Sequence, residues 1–146
     1  MTYNSLRFVV LLAIVSIFGL LFVVVKVHAW DKNNPESIKD YIVYVASRED
    51  VNVGLAVAIA GAESNFIWNA KNPKSSASGV FQFINGTFLG YCRDKYGLAK
   101  SLEDKNNPFI QTNCAIYMLK EEGGHKHWLE SSKGWIKFFS RELALQ

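Results

Sequence analysis

One segment, Val53–Ser64, constrains the fold more than any other part of the chain. It reads Val-Gly-Leu-Ala-Val-Ala-Ile-Ala-Gly-Ala-Glu-Ser, and the residue before it, Asn52, is of a type that commonly caps a helix N-terminus. Its side chains are apolar all round until the last two residues, and a helix of this kind is normally buried on all sides. The sequence therefore predicts a helical domain that is packed around this central helix.

Capping and breaking residues predict more helices on both sides of the central one. The predicted helices run from Asn34-Pro35 to about Ser47, from Asn85 or Thr87 to Tyr96-Gly97, and from Asn107-Pro108 to Gly123-Gly124, with one or two short helices in the tail from His125. Residues 65–79, which are rich in Asn, Lys, Pro, Ser and Gly, are predicted as a long loop. No strand signal of any length is found, so the predicted fold class is mainly α with little or no β.

The N-terminus has the features of an export segment. Arg7 precedes an uncharged run of 18 residues, Phe8–Val25. The run is longer than the usual core of a signal peptide and close to the lower limit for a membrane-spanning helix. Val27-His28-Ala29 offers small residues at a position where a signal peptidase could cleave. Residues 1–29 are therefore interpreted either as a cleaved signal peptide or as a retained transmembrane signal anchor, a hydrophobic helix in the membrane, and both place residues 30–146 outside the cytoplasm.

The charge balance argues against nucleic acid as the partner. The formal net charge is +3, and two of the 16 basic residues, Arg7 and Lys26, lie in the N-terminal segment. The predicted domain keeps the other 14, against 13 acidic residues. Phosphate binding needs a clustered excess of positive charge, which this near-balance does not supply.

Two cysteines, Cys92 and Cys114, lie in two separate predicted helices. In an oxidising compartment they could form a disulfide, and in a reducing one they would be buried thiols. The predicted export favours the disulfide.

Glu63 is the candidate catalytic residue. Helical spacing puts its carboxyl group on the same face as Ile59 and Leu55, so the group is expected to be at least partly buried. Burial without a charged partner raises the pKa of a carboxyl group, and a carboxylic acid that keeps its proton near neutral pH can act as a general acid. A structural role, in a cap or in an ion pair with Lys71 or Arg93, remains open at this point.

The sequence around Glu63 resembles the soluble lytic transglycosylase domain, a relative of goose-type lysozyme. The resemblance rests on Glu63-Ser64, on the Ser/Ala-rich loop at residues 75–78 and on Gly79-Val80-Phe81-Gln82, and Phe83-Ile84 and Thr87 continue it. The helix with Asn113, Ala115 and Tyr117-Met118-Leu119 is similar to the next helix of that family. The likeness covers about residues 36–120 and implies a lysozyme-like fold.

The resemblance implies an activity on the glycan strands of peptidoglycan. Glu63 would protonate the oxygen between N-acetylmuramic acid and N-acetylglucosamine, and would then take a proton from the muramic C6 hydroxyl to give a 1,6-anhydro product. Ser64 would orient Glu63 or contact the substrate, while Gln82, Phe83 and the backbone at Gly79 would help to bind the sugars. No cofactor or metal is implied.

A single acid fits this reaction. No Asp or Glu occurs from Ser64 to Arg93, whereas standard glycoside hydrolysis uses two carboxyl groups. Asp94, Glu103 or Glu130 could fold back toward Glu63, but nothing in the spacing requires it. The sequence thus favours a reaction in which the substrate supplies its own nucleophile.

The chain also departs from the family. The Ala-Tyr-Asn-like motif, whose tyrosine helps to position the acid, is not found. Tyr117 could replace that tyrosine or be a core residue, and Trp128 could stack on a sugar ring or be a core indole. His125 and His127 form an incomplete ligand set, so no metal site is predicted.

Two other functions remain open beside the transglycosylase. One is a lysozyme-type muramidase, which hydrolyses the same glycan. The other is a non-catalytic peptidoglycan-binding protein that kept the fold. The small size and the N-terminal segment fit a protein of the periplasm or cell envelope that opens the wall locally, with an envelope-spanning machine as a possible partner.

Overall fold

The computed structural model describes residues 9–16, 19–26 and 29–143 of the chain, with side-chain surroundings for residues 29–138 and for Ser140. The chain divides into two compact units, Met1–Trp30 and Asp31–Gln146.

The first unit contains two antiparallel strands, β1 (Val9–Ser16) and β2 (Gly19–Lys26). The hydrophobic helix expected over residues 1–29 stays a prediction.

The predicted cleavage site at residues 27–29 lies mostly outside the described residues. Across the described ranges, no helix combines the length and the apolar character needed to cross a membrane. The assignment of residues 1–29 to export stays a prediction.

The second unit is mainly helical, as predicted. Its helices are α1 (Pro35–Arg48), α2 (Val53–Ser64), the single turn α3 (Asn85–Thr87), a π-helix (Phe88–Lys95), a 3₁₀ helix (Leu102–Asn106), α4 (Pro108–Lys120), a second 3₁₀ helix (Gly124–Ser131) and α5 (Ser132–Leu143). Three of the predicted starts are correct, because the side chains of Asn34, Asn52 and Asn107 accept hydrogen bonds from the first backbone N–H groups of α1, α2 and α4.

Helix α2 is the centre of this unit. Its residues 56–61 are buried, and α1, α4 and α5 all pack against it. Gly61 allows the closest approach, because a Cβ atom at this position would lie 2.4 Å from the ring of Phe138 on α5. The absence of a side chain at Gly61 is therefore what lets α5 cover the end of α2 near Glu63.

A disulfide joins Cys92 of the π-helix to Cys114 of α4. Both residues are fully buried. The bond closes a loop of 22 positions. Such a cross-link stabilises a fold by about 3 kcal/mol, mainly through the entropy of the unfolded chain.

The segment between α2 and α3 is irregular, as predicted, but it is tightly held. Asn65 and Phe66 turn the chain away from α2 with positive φ angles of 52° and 63°. Single β-bridges then connect Ser78 to Lys71 on one side and to Phe83 on the other. The loop returns to the end of α2 at Val80, whose carbonyl oxygen accepts a hydrogen bond from the Ser64 hydroxyl at 2.9 Å.

Gln111 of α4 fixes this loop from behind. Its buried side-chain amide accepts a hydrogen bond from the N–H of Phe81 at 3.1 Å and donates to the carbonyls of Ser78, at 3.1 Å, and Lys105, at 2.5 Å. Gly79 makes room for this amide, since a Cβ atom there would lie 1.8 Å from the Gln111 Nε2 atom.

Lys105 is a second internal support for the loop. Its side chain is buried, and its ammonium group donates to the carbonyl of Ser76 at 2.6 Å and to the side-chain oxygen of Asn85 at 2.5 Å. Desolvation by burial lowers the pKa of this group. Lys105 and Gln111 together anchor both ends of residues 76–85 to the helices behind them.

We predict that Gly79→Ala breaks this arrangement, whereas Gly97→Ala does not. Both glycines have positive φ, 81° and 64°, but no atom lies within 4 Å of a Cβ placed at Gly97. Gly97→Ala should lower the unfolding free energy by about 1 kcal/mol through backbone strain alone. Gly79→Ala should cost at least about 2 kcal/mol more, because it displaces a buried amide from its partners. Chemical denaturation measures both losses, and equal losses would contradict the role given to Gln111.

Candidate active site

A cleft of about 480 Å³ opens where the end of α2, the loop and the second 3₁₀ helix meet. The side chains that line it come from all three elements: Glu63, Asn72, Ala77, Phe81, Gln82, Phe83, Ile84, Thr87, His127, Trp128, Glu130 and Ser131. Four of the predicted site residues are in this set, namely Glu63, Gln82, Phe83 and Trp128.

Glu63 lies on the wall of the cleft and is half-buried. Desolvation raises the pKa of its carboxyl group, and a hydrogen bond with the hydroxyl of Ser131 opposes that rise in part. Among the described residues Glu63 forms no ion pair with Lys71 or Arg93, and Arg93 is paired with Asp94 instead. The environment of Glu63 is therefore that of an acid which holds its proton more tightly than an exposed glutamate.

Backbone and indole groups connect Glu63 to the opposite wall. Ser131, which contacts Glu63 Oε1, also lies 3.0 Å from the carbonyl oxygen of Trp128. That carbonyl accepts a hydrogen bond from the Trp135 indole at 3.0 Å. The Trp128 indole in turn donates to the carbonyl of Phe81, also at 3.0 Å. The acid, the 3₁₀ helix and the loop are thus parts of one hydrogen-bonded network.

Gln82 presents an acceptor to the cleft. Its φ is positive, at 50°, and its side-chain NH₂ group donates to the carbonyls of Gly79, at 2.9 Å, and Ala70, at 3.3 Å. Because both amide protons are used by the backbone, Gln82 can offer a ligand only its Oε1 atom. A ligand group that binds here must be a donor, such as a hydroxyl or an N–H.

Ser64 was predicted to orient Glu63 or to contact the substrate, and the backbone at Gly79 to help bind it; neither residue lines the cleft. The Ser64 hydroxyl lies 2.9 Å from the carbonyl oxygen of Val80 and 3.3 Å from that of Ala60. Gly79 is buried beside Gln111. Their contacts hold the loop against the end of α2.

Phe83 and Trp128 form the apolar floor. They are only 3% and 5% exposed, and their rings meet edge to face with centroids 5.8 Å apart. The indole of Trp128 is therefore packed in the core and also borders the cleft, and its stacking on a sugar ring stays a prediction.

Tyr117 is not brought to Glu63. It borders a separate surface pocket with Glu49, Tyr96, Lys120 and Glu121, and its ring packs edge-on against Tyr96 at 5.6 Å. This position does not fit a tyrosine that holds the acid, and the interpretation of Tyr117 as a packing residue fits better.

Of the three distant carboxyl groups considered from the sequence, Glu130 alone lines the cleft. Asp94 is exposed and paired with Arg93, and Glu103 is exposed on the first 3₁₀ helix. In the part of the chain that the structure describes, no group of three or more His, Cys, Asp or Glu side chains could hold a metal ion. The ring of His127 instead packs against Tyr91 at 4.8 Å.

Sequence reasoning assigned no role to Gln111 or Ser131. Gln111 could have been found from the sequence, because helical spacing puts it on the same buried face of α4 as Ala115 and Met118. A polar side chain on a buried face normally has hydrogen-bond partners. Ser131 had no such signal. It lies 68 positions from Glu63, and only the folded chain brings the two side chains together.

We predict that Glu63→Gln stabilises the domain at neutral pH. A carboxyl group with a raised pKa contributes stability below its unfolded pKa and loses that contribution as the pH rises through the folded pKa. Glutamine carries no charge at any pH, so the difference in unfolding free energy between variant and wild type should grow as the pH rises above about 4.5, the ordinary pKa of glutamate. Urea denaturation at several pH values measures it, and a constant difference would mean that Glu63 is hydrated.

Comparison with known proteins agrees with this geometry. Residues 40–130 match the family described as the transglycosylase SLT domain. No curated protein matches the chain. The family match covers more than half of the sequence and contains α2, the loop and most of the second 3₁₀ helix, which together form the cleft. The chain therefore belongs to the transglycosylase SLT domain family, whose fold is lysozyme-like and whose function is of the lytic transglycosylase type.

Proposed function

We propose that this protein is a peptidoglycan lytic transglycosylase that cleaves the β-1,4 bond between N-acetylmuramic acid and N-acetylglucosamine, with Glu63 as its single catalytic acid/base. The observation that carries the proposal is the half-buried Glu63 carboxyl group on the wall of an open cleft, with its pKa raised by desolvation. Family membership supports the same class of reaction.

In the first step Glu63 is the general acid. Its proton goes to the oxygen of the glycosidic bond as the bond from that oxygen to the muramic anomeric carbon breaks. The N-acetylglucosamine side leaves with a free hydroxyl group, and positive charge develops on the muramic ring. A carboxyl group that stays protonated near neutral pH is suited to this step.

In the second step the Glu63 carboxylate is the base. It takes the proton of the muramic C6 hydroxyl while that oxygen bonds to the anomeric carbon, which gives the 1,6-anhydro ring and restores the acid. The nucleophile belongs to the substrate, so closure gains from proximity and needs no activated water. The two steps need no cofactor.

Substrate contacts follow from what each side chain can offer. The Oε1 atom of Gln82 would accept a hydrogen bond from a sugar hydroxyl or from the N–H of an N-acetyl group. Phe83 and Trp128 would contact the apolar face of a sugar ring along the floor. Ser64 and Gly79 would act indirectly, since their contacts hold the loop that carries Gln82.

A second candidate is a lysozyme-type muramidase. It is favoured by one observation, the presence of Glu130 in the cleft lining. In a hydrolase a second carboxylate activates water or stabilises the sugar cation from the other side of the bond. The transglycosylase is the preferred function because its mechanism needs only the carboxyl group of Glu63. The muramidase would also need the carboxylate of Glu130, which is exposed.

The proposed substrate lies outside the cytoplasm, so the function requires export. The uncharged segment Phe8–Val25 would provide it, either as a signal peptide or as an anchor in the inner membrane. The working site would then be the periplasm or cell envelope, where a small domain could open the wall locally for an envelope-spanning machine.

The test is mass spectrometry of soluble glycans released from purified peptidoglycan by the wild-type chain, Glu63→Gln and Glu130→Gln. Wild type should release anhydro-muropeptides, which are one water lighter than the hydrolysis products. Glu63→Gln should lower the rate by about 100- to 10,000-fold, because the general acid is lost. Glu130→Gln should keep activity within a few-fold of wild type.

Glu103→Gln is the matched control, since it removes an exposed carboxylate outside the cleft. Products of full mass together with loss of activity in Glu130→Gln would favour the muramidase. Equal background release from wild type and Glu63→Gln would contradict both enzymes and leave the non-catalytic peptidoglycan-binding protein.

A further inference from the structure

The hydroxyl of Ser131 has one proton and two neighbours that could receive it. One is Oε1 of Glu63 and the other is the carbonyl oxygen of Trp128, at 3.0 Å. A carbonyl oxygen can only accept a hydrogen bond, while a carboxyl group accepts when ionised and donates when protonated. The two contacts of Ser131 can therefore be satisfied in two different ways.

When Glu63 is protonated, it donates to Ser131, and Ser131 donates to the carbonyl of Trp128. When Glu63 is ionised, the Ser131 hydroxyl rotates and donates to the carboxylate. The carbonyl of Trp128 still keeps the Trp135 indole as a donor, at 3.0 Å. Both charge states of the acid are thus hydrogen-bonded without any movement of the backbone.

We propose that Ser131 is the positioning residue for Glu63, whose one hydroxyl holds the carboxyl group in the cleft both before and after it gives up its proton. The proposal deepens the function proposed above and rests on it, because the reaction uses Glu63 first as an acid and then as a base. A group that changes role within one turnover needs a partner that can both accept and donate, and a serine hydroxyl does both.

The surroundings of Ser131 make it a fixed support. It is the last residue of the second 3₁₀ helix and is followed at once by α5. Trp128, one turn earlier, is buried and bonded to the loop through the carbonyl of Phe81. The hydroxyl therefore has a defined place relative to both walls of the cleft.

The charged groups that line the cleft or lie on the helices packed against α2 remain in place in the variants used as tests. His127 and Glu130 line the cleft from the same 3₁₀ helix. Lys133 and Lys137 are exposed on α5, and on α1 the ammonium group of Lys39 lies 6.0 Å from the Phe66 ring. A change seen on removal of the Ser131 hydroxyl alone cannot come from the loss of any of these groups.

The experiment compares Ser131→Ala and Ser131→Thr with wild type in the full chain. The control is Ser132→Ala, which removes the neighbouring hydroxyl and leaves Ser131 intact. The first readout is the titration of the Glu63 side-chain carboxyl carbon by ¹³C NMR, which needs no substrate. The second is the pH dependence of kcat and KM on peptidoglycan fragments.

In Ser131→Ala the ionised carboxyl group loses a donor, so the pKa of Glu63 should rise and the alkaline limb of kcat/KM should move to higher pH. The kcat value should fall by about 10- to 100-fold through loss of positioning, with KM changed much less. Ser131→Thr should restore both the titration and kcat, because it keeps the hydroxyl, and Ser132→Ala should behave as wild type.

An unchanged Glu63 titration in Ser131→Ala would overturn the proposal, whether or not activity falls. If the wild-type chain is inactive on peptidoglycan, the proposed function fails, but the titration still decides whether Ser131 holds Glu63. The two failures are therefore distinguishable.

Discussion

The cleft depends on one constraint, namely that α2 is buried on every side while the carboxyl group near its end is not fully removed from solvent. Three helices cover α2, and Gly61 lets the ring of Phe138 approach its last turn. Glu63 therefore lies where the core ends and the cleft begins. Complete burial would cost the group its access to a ligand, and full exposure would remove the cause of its raised pKa.

The second requirement is that an irregular loop stays in one place beside that carboxyl group. Polar groups in the interior achieve this. Gln111 and Lys105 bond the loop from behind, and Ser64 and Trp128 bond it from the two sides of the cleft. Removal of one partner from such a network leaves a buried polar group unsatisfied, which is more costly than the loss of a surface contact.

The network gives a structural role to two predicted site residues that lie outside the cleft. Gly79 leaves space for the side-chain amide of Gln111 behind the loop. Ser64 does not line the cleft either. We infer that a family motif such as Gly79–Gln82 combines one residue that faces a ligand with others that fix its backbone. Phe81 and Gln82 both line the cleft, but Phe81 is fully buried, whereas Gln82 is partly exposed.

Much of the fold could be predicted because its signals are local. Asn34, Asn52 and Asn107 cap helices through bonds to residues two or three positions away, so their sequence neighbours reveal them. The buried character of α2 was equally visible in its composition.

Candidate site residues could be proposed only where a motif or a helical face pointed to them, as for Glu63 and Gln82, which both line the cleft. Tyr117 was a candidate because of its place in a similar helix, yet its ring lies against Tyr96. Ser131 and Glu63 lie 68 positions apart in the sequence, and no regular spacing of residues predicts that they are in contact. Contacts of that kind depend on how α2, the 3₁₀ helix and α5 pack, and that packing is a property of the whole domain.

The most direct test of this account is a titration of the Glu63 carboxyl carbon in the wild-type protein by ¹³C NMR. The account predicts a pKa above 4.5, the ordinary value for glutamate, because desolvation outweighs the hydrogen bond from Ser131. A pKa at or below that value would mean that the carboxyl group is well hydrated. The account of Glu63 as the proton donor in the cleft would then be wrong.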